Sequence, residues 1–310
     1  MPAVGQGTTT MVVTEFFLVG FGDLKRLNPL LFLVFAVVYV VTVSGNLLLV
    51  VLVCTQQGLQ TPKYFFLANF SCLEVCYTSN ILPRMLVDLL QEDRAISMVG
   101  CIIQLYFFGA LGSTECYLLA VMPYDWYLAV CWPLHYLTLL HGTLTVGLTI
   151  ASWLCGFSAA VFQAAMLSSL TFCRGNYIDH FFWDLKPLQK LSCSDPDLVN
   201  LVCMSLTSLV TLVPFGLILA SYWKILSVIL HIPSIIGKQK AFSSSSNLVV
   251  GTLFYGTLIL VYAVPLAGQV LALNKTFSLF YTVVNPTCNP LIYSPQNNNV
   301  KEALKKKLRI

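Results

Sequence analysis

GCIIQLYFFGALGSTECYLLAVMPYDWYLAVCWPLHY, residues 100–136, is the stretch on which the fold turns. Its apolar part is too long for a strand and long enough for the roughly 20 residues a helix needs to cross a bilayer. Six more blocks of the same kind surround it. With this one placed at about 97–127, the others fall at about 28–54, 62–90, 142–169, 198–230, 243–272 and 277–294. Each supplies close to one span, the last only just. In lipid every backbone polar group must be satisfied within the protein, which leaves helices or closed barrels. Helical blocks joined by short segments therefore predict an all-α membrane protein, a seven-transmembrane-helix bundle. It would comprise an N-terminal segment (1–27), the bundle (28–294) and a C-terminal tail (295–310).

Composition agrees. Of 310 residues, 57% are hydrophobic and only 10% are charged, against roughly 25% charged in soluble domains. So few charges cannot cover a soluble fold of this size, which argues against an apolar soluble enzyme. The net charge of +4 gathers most densely in the tail, at Lys301, Lys305, Lys306, Lys307 and Arg309. That is the usual character of a cytoplasmic juxtamembrane segment. With the N-terminus outside, cations on the inner side are nearly unopposed, whereas those outside sit among acids such as Asp179, Asp184 and Asp195. N-terminus outside is the expected orientation, with the first block serving as both signal and first span, since residues 1–27 lack a signal-peptide core. No basic stripe with interleaved aromatics suits a nucleic acid. Motifs of hydrolases, phosphate loops and zinc sites are missing, so no enzyme is expected. A seven-helix transporter or channel is the alternative from another class, but no internal repeat of the kind such proteins show is present.

Polar residues at bilayer depth carry the first functional hints. Asn46 needs a partner inside the bundle, for helix packing or for switching. Glu74 and Glu115 stand in the middle of the second and third blocks. Buried carboxylates are expensive and usually functional. On neighbouring helices they would share a proton, hold a small cation such as sodium, or form a static hydrogen-bonded pair.

Several ordered motifs point to a family. MPYDWYLAV followed by CWPLHY (122–136) resembles the odorant-receptor signature MAYDRYLAI followed by C-x-PLHY. The second block resembles the family's PMYFFLANLSFLE. SYWKILSVIL and IPSIIGKQKAFSSSSNLVV (221–250), LFYGT (253–257) and NPLIYS (289–294) complete the set. The resemblance runs from about Thr14 to Leu308 and rests on the order and spacing of the motifs together.

What the resemblance implies is a G-protein-coupled receptor of the plasma membrane. A small volatile molecule would bind in the outer half of the bundle, and helix movement would open a crevice for a stimulatory G protein. The pocket-facing positions it implies are Phe108, Gly112 and Ser113 in the third block, and Leu206, Thr207 and Val210 in the fifth. Leu258, Ile259 and Tyr262 in the sixth and Thr282 in the seventh complete them. For each taken singly, ordinary helix packing is the competing reading. A few hydroxyls in an apolar site would orient a ligand. The implied switch positions are Asp125, Trp126, Tyr127, Tyr222, Tyr255, Asn289, Pro290 and Tyr293, with Pro214 bending the fifth helix. In the tail, Val300, Leu304 and Leu308 make a short amphipathic basic helix on the inner leaflet, unless the tail is merely solvated.

The resemblance also implies two outer disulfides. Cys173 and Cys193 match one of them. The other ties Cys101 to a loop position that here is Trp183, which leaves Cys101 without its usual partner. At the inner end, Trp126 replaces the arginine of Asp-Arg-Tyr. An indole offers one donor and no charge, so it cannot take over the arginine's role. Pro123 replaces alanine just before it, and Asn247 replaces a histidine in a sixth block one residue short of the pattern.

Overall fold

A computed structural model describes residues 15–18, 27–91, 95–173, 176–178, 188, 191–193, 197–231, 255–256, 279–287 and 298–308. Five long helices dominate: α1 (Asn28–Thr55), α2 (Pro62–Leu90), α3 (Met98–Cys131), α4 (Gly142–Ser168) and α5 (Asp197–His231). Each coincides with one of the first five blocks to within a few residues. The boundaries follow local chemistry. Proline sits in the first turn of both α1 and α2, where its missing N–H costs nothing. Ser97 caps α3 by accepting from the Gly100 amide at 3.2 Å. α2, α3 and α5 continue through Pro83, Pro123 and Pro214.

Among the described residues, α1, α3, α4 and α5 are long and apolar enough to cross a membrane. α2 is as long but more polar. The packing is inverted relative to a water-soluble bundle. On α1, Leu33 and Val40 are 60% and 63% exposed, while Thr42 and Asn46 are fully buried. Large apolar side chains facing outward would be costly in water and are at home in hydrocarbon.

α3 is central, packing against α2, α4 and α5. Its crossing with α4 depends on Gly156. A Cβ there would overlap the Thr114 side chain and stand 2.6 Å from the Thr114 nitrogen and 2.9 Å from the Ala110 oxygen. Only a missing side chain permits that approach.

One end of the bundle carries a feature the apolar blocks do not reveal. β1 (Glu15–Leu18) is the middle strand of a three-stranded sheet, antiparallel to β2 (Ala95–Ser97) and parallel to β3 (Tyr177–Ile178). Beneath it lies a second hydrophobic cluster, separate from the main core, built on Phe16, Cys101, Phe172, Ile178, Leu188 and Cys203. Phe16 is completely buried and meets the Phe172 ring edge-on at 5.5 Å. Arg84 reaches from α2 to the Ala95 carbonyl (2.9 Å) and pairs with Asp88. The expected Cys173–Cys193 disulfide is formed, and Cys101 is a buried free thiol. This is the disulfide end. Past α5 the described residues include a π turn at Phe280–Val284 and a final helix, Asn298–Leu308. That helix buries Val300 and Ala303 and contacts the end of α1 and the turn Gln57–Leu59. Apart from Tyr255 and Gly256 the sixth block lies outside the described residues, as does half of the seventh.

Candidate functional site

Toward the disulfide end, α3 has an unusual profile. Ile103 and Phe107 are exposed and mark its outward side. Leu105, Phe108, Gly109 and Gly112 fall opposite them on the helical wheel and remain partly open. Deeper in the same helix, Thr114–Cys116 and Leu118–Ala120 are buried. The inward face of α3 is thus partly open toward the disulfide end and closed from Thr114 onward. Of the sequence candidates, Phe108, Gly112, Ser113, Leu206 and Thr207 are partly open, while Val210 is buried. Thr282 is fully buried on the π turn. Leu258, Ile259 and Tyr262 lie outside the described residues.

Two side chains join this region that sequence reasoning missed. Tyr77 of α2 packs its ring 5.6 Å from Phe108. Gln163 of α4 donates through Nε2 to Thr207 Oγ1 at 3.0 Å, bridging to α5. A glutamine near the end of an apolar helix carries no motif, so nothing in the sequence marked it.

Below this open face lies a polar centre. Glu74 and Glu115 are both fully buried and joined by a side-chain hydrogen bond. Two carboxyls bond in this way only if one carries the proton. Glu115 Oε2 is buried with no hydrogen-bond partner among the described residues. Nearby helices add further polar contacts. Thr287 gives its proton to the Val283 carbonyl (2.7 Å), so Thr42 is the donor in the 2.8 Å bond between the two threonines. Asn46 donates to the carbonyls of Thr42 and Pro286, which answers its need for a partner. Tyr255, completely buried, donates to the Cys116 carbonyl at 2.7 Å and packs 5.3 Å from Phe215. The implied switch tyrosine thus ties α3 and α5 together one residue from Glu115.

At the opposite end, Asp125 is buried and accepts from Tyr136 Oη at 2.7 Å. Burial, then this hydrogen bond to a carboxylate, pushes the Tyr136 phenol above its ordinary range. Lys63 of α2 is the cation acting on Asp125. Trp126 takes no part in that contact. Its ring meets Tyr222 of α5 edge-on at 5.6 Å, and the buried Tyr222 hydroxyl has no partner among the described residues. Tyr127 accepts from Trp132 Nε1 at 3.4 Å. Asn289, Pro290 and Tyr293 lie outside the described residues.

Lipid-facing apolar helices around a buried polar centre, with a partly open inward face toward one end and a tyrosine-bound aspartate at the other, mark a helical membrane protein. The sequence model of the olfactory receptor family matches residues 35–309. The chain is 44% identical over 311 residues to Olfactory receptor 11A1 of Homo sapiens, covering 100% of this chain and 98% of that protein. It is 46% identical over 301 residues to Olfactory receptor 10C1 of Homo sapiens (97% and 96%). Olfactory receptor 5AP2 of Mus musculus is 42% identical over 302 residues (97% and 95%). The chain belongs to the olfactory receptor family. It is a multi-pass membrane protein and an odorant-sensing receptor of the G-protein-coupled class, not an enzyme.

Proposed function

We propose that the chain spans the plasma membrane seven times, N-terminus outside, and binds small volatile molecules in the chamber beside α3 and α5. It passes the signal to a stimulatory G protein, which raises cyclic AMP. The observation that carries this reading is the inward face of α3, open at Phe108, Gly109 and Gly112 and sealed from Thr114 downward. Such a face admits an apolar guest from one side only. On this reading the disulfide end is extracellular, and the helix Asn298–Leu308 lays the exposed Lys301 and Lys305 against the inner leaflet.

Glu74 and Glu115 would hold a sodium ion. Their oxygens are the donors a hard cation prefers, and Glu115 Oε2 is available for it. Such an ion would neutralise one buried carboxylate and so favour the closed arrangement of α2 and α3.

A second reading keeps the chamber and weakens the output. It is favoured by the Trp126–Tyr222 contact, which sets one aromatic edge where the family has a guanidinium with five donors. The test is to express the chain with Trp126→Arg and Trp183→Cys, singly and together, and to measure surface delivery and cyclic AMP against an odorant panel. Trp126→Arg is expected to raise the odorant-evoked signal at least ten-fold. Wild-type signalling equal to that of the double revertant would remove the weakened-output reading. A revertant that reaches the surface and answers no odorant would remove the receptor reading.

A further inference from the structure

We infer that Gln163 is a specificity-determining residue that selects small molecules bearing a hydroxyl over carbonyl compounds and hydrocarbons of the same shape. The inference rests on the chamber proposed above and begins with a single proton. Thr207 has one hydroxyl hydrogen, and it is given to the Cys203 carbonyl at 2.8 Å. Toward Gln163, therefore, Thr207 Oγ1 can only accept. The group facing it at 3.0 Å must be the amide nitrogen, and this fixes which way the Gln163 amide is turned.

With Nε2 held by Thr207, Oε1 is directed at α3, where it meets Gly109. A Cβ at position 109 would stand only 3.3 Å from that oxygen. Glycine has none, so no side chain of residue 109 covers the amide oxygen. Gly109 belongs to the partly open inward face of α3, beside Phe108 and Gly112. Gln163 is itself only partly buried, so its carbonyl oxygen, a pure acceptor, is open to a guest in the proposed chamber. An alcohol or phenol supplies the proton that oxygen needs. A ketone or ether brings a second acceptor and gains nothing, and a hydrocarbon leaves the oxygen desolvated and unpaired.

The experiment uses the purified full chain in detergent, with ligand-induced thermal stabilisation as readout, so that it does not depend on G-protein coupling. The probes are matched trios: menthol, menthone and menthane; borneol, camphor and bornane; cyclooctanol, cyclooctanone and cyclooctane. In every trio that stabilises the protein, the alcohol is expected to bind about ten-fold more tightly than its ketone, the gain of one hydrogen bond. Gln163→Leu should erase that difference while hydrocarbon stabilisation persists, which also shows that the variant folds. Thr207→Val frees the amide to turn and present its N–H, so the alcohol preference should fall to about two-fold or less. Equal binding of alcohols and ketones by the wild type, or a preference that survives Gln163→Leu, overturns the inference while leaving the chamber in place. Failure of every probe to stabilise the wild type overturns the chamber itself, and this inference with it.

Discussion

The two ends of the bundle are held by different means. At the disulfide end a covalent bond, a three-stranded sheet and a separate hydrophobic cluster act together. At the Asp125 end the described contacts are all non-covalent: hydrogen bonds from Tyr136 to Asp125 and from Trp132 to Tyr127, the charge of Lys63, an edge-on contact between Trp126 and Tyr222, and the packing of the helix Asn298–Leu308 on the turn Gln57–Leu59. Redundant ties hold the disulfide end in one arrangement. The proposed switch asks something else of the other end, where two arrangements of α3 and α5 must differ by little free energy. A chain that lacks one outer disulfide therefore keeps its sheet and cluster as support, whereas the Asp125 end is held among the described residues by non-covalent contacts.

Substitutions at each end test that asymmetry. Cys173→Ser removes the crosslink and should cost about 3 kcal/mol in thermal unfolding of the purified chain. Amide exchange should rise at 171–178 and stay unchanged at 125–139. Equal loosening at both ranges would mean the two ends are one cooperative unit. Tyr136→Phe should cost about 2 kcal/mol, because it deletes a hydrogen bond to a carboxylate and leaves Asp125 buried beside Lys63 alone. Here exchange should rise around Asp125 and not at the sheet. The smallest effect belongs to Tyr222→Phe. Its hydroxyl is buried without a partner among the described residues, so its removal should change stability by less than about 0.5 kcal/mol or raise it slightly. A loss of more than about 1 kcal/mol would show that the hydroxyl has a partner.

Helix boundaries were legible because apolar runs of bilayer length admit few structures. α2 was assigned to 62–90 and is Pro62–Leu90. Cys173 does join Cys193, as the family resemblance implies, and Glu74 does meet Glu115 because α2 and α3 prove to be neighbours, a condition the sequence left open. The sheet was not foreseen. Its strands are two to four residues long, too short for an alternating pattern to emerge, and they come from three distant segments. Gln163 was equally silent, because its orientation depends on a proton that Thr207 has already given to Cys203 and on a missing side chain at Gly109. Three helices must be in place before that chemistry exists. The carboxylate of Asp125 was read as a switch element, but its bond to Tyr136 depends on how the turn after α3 folds back.

The position of β1 in the middle of its sheet also sets a timetable. Phe16 pairs with Ile96 and Phe17 with Tyr177, so the strand's neighbours leave the ribosome roughly 80 and 160 residues after it does. At about 5–20 residues per second, the first strand waits on the order of ten seconds or more for its second partner. One edge stays bare throughout that interval, and Phe16 still lacks Phe172 and Ile178 of its cluster. The sheet is complete only after four helices have been threaded, so a chain that stalls during membrane insertion displays an unburied aromatic to the quality-control machinery that decides its export.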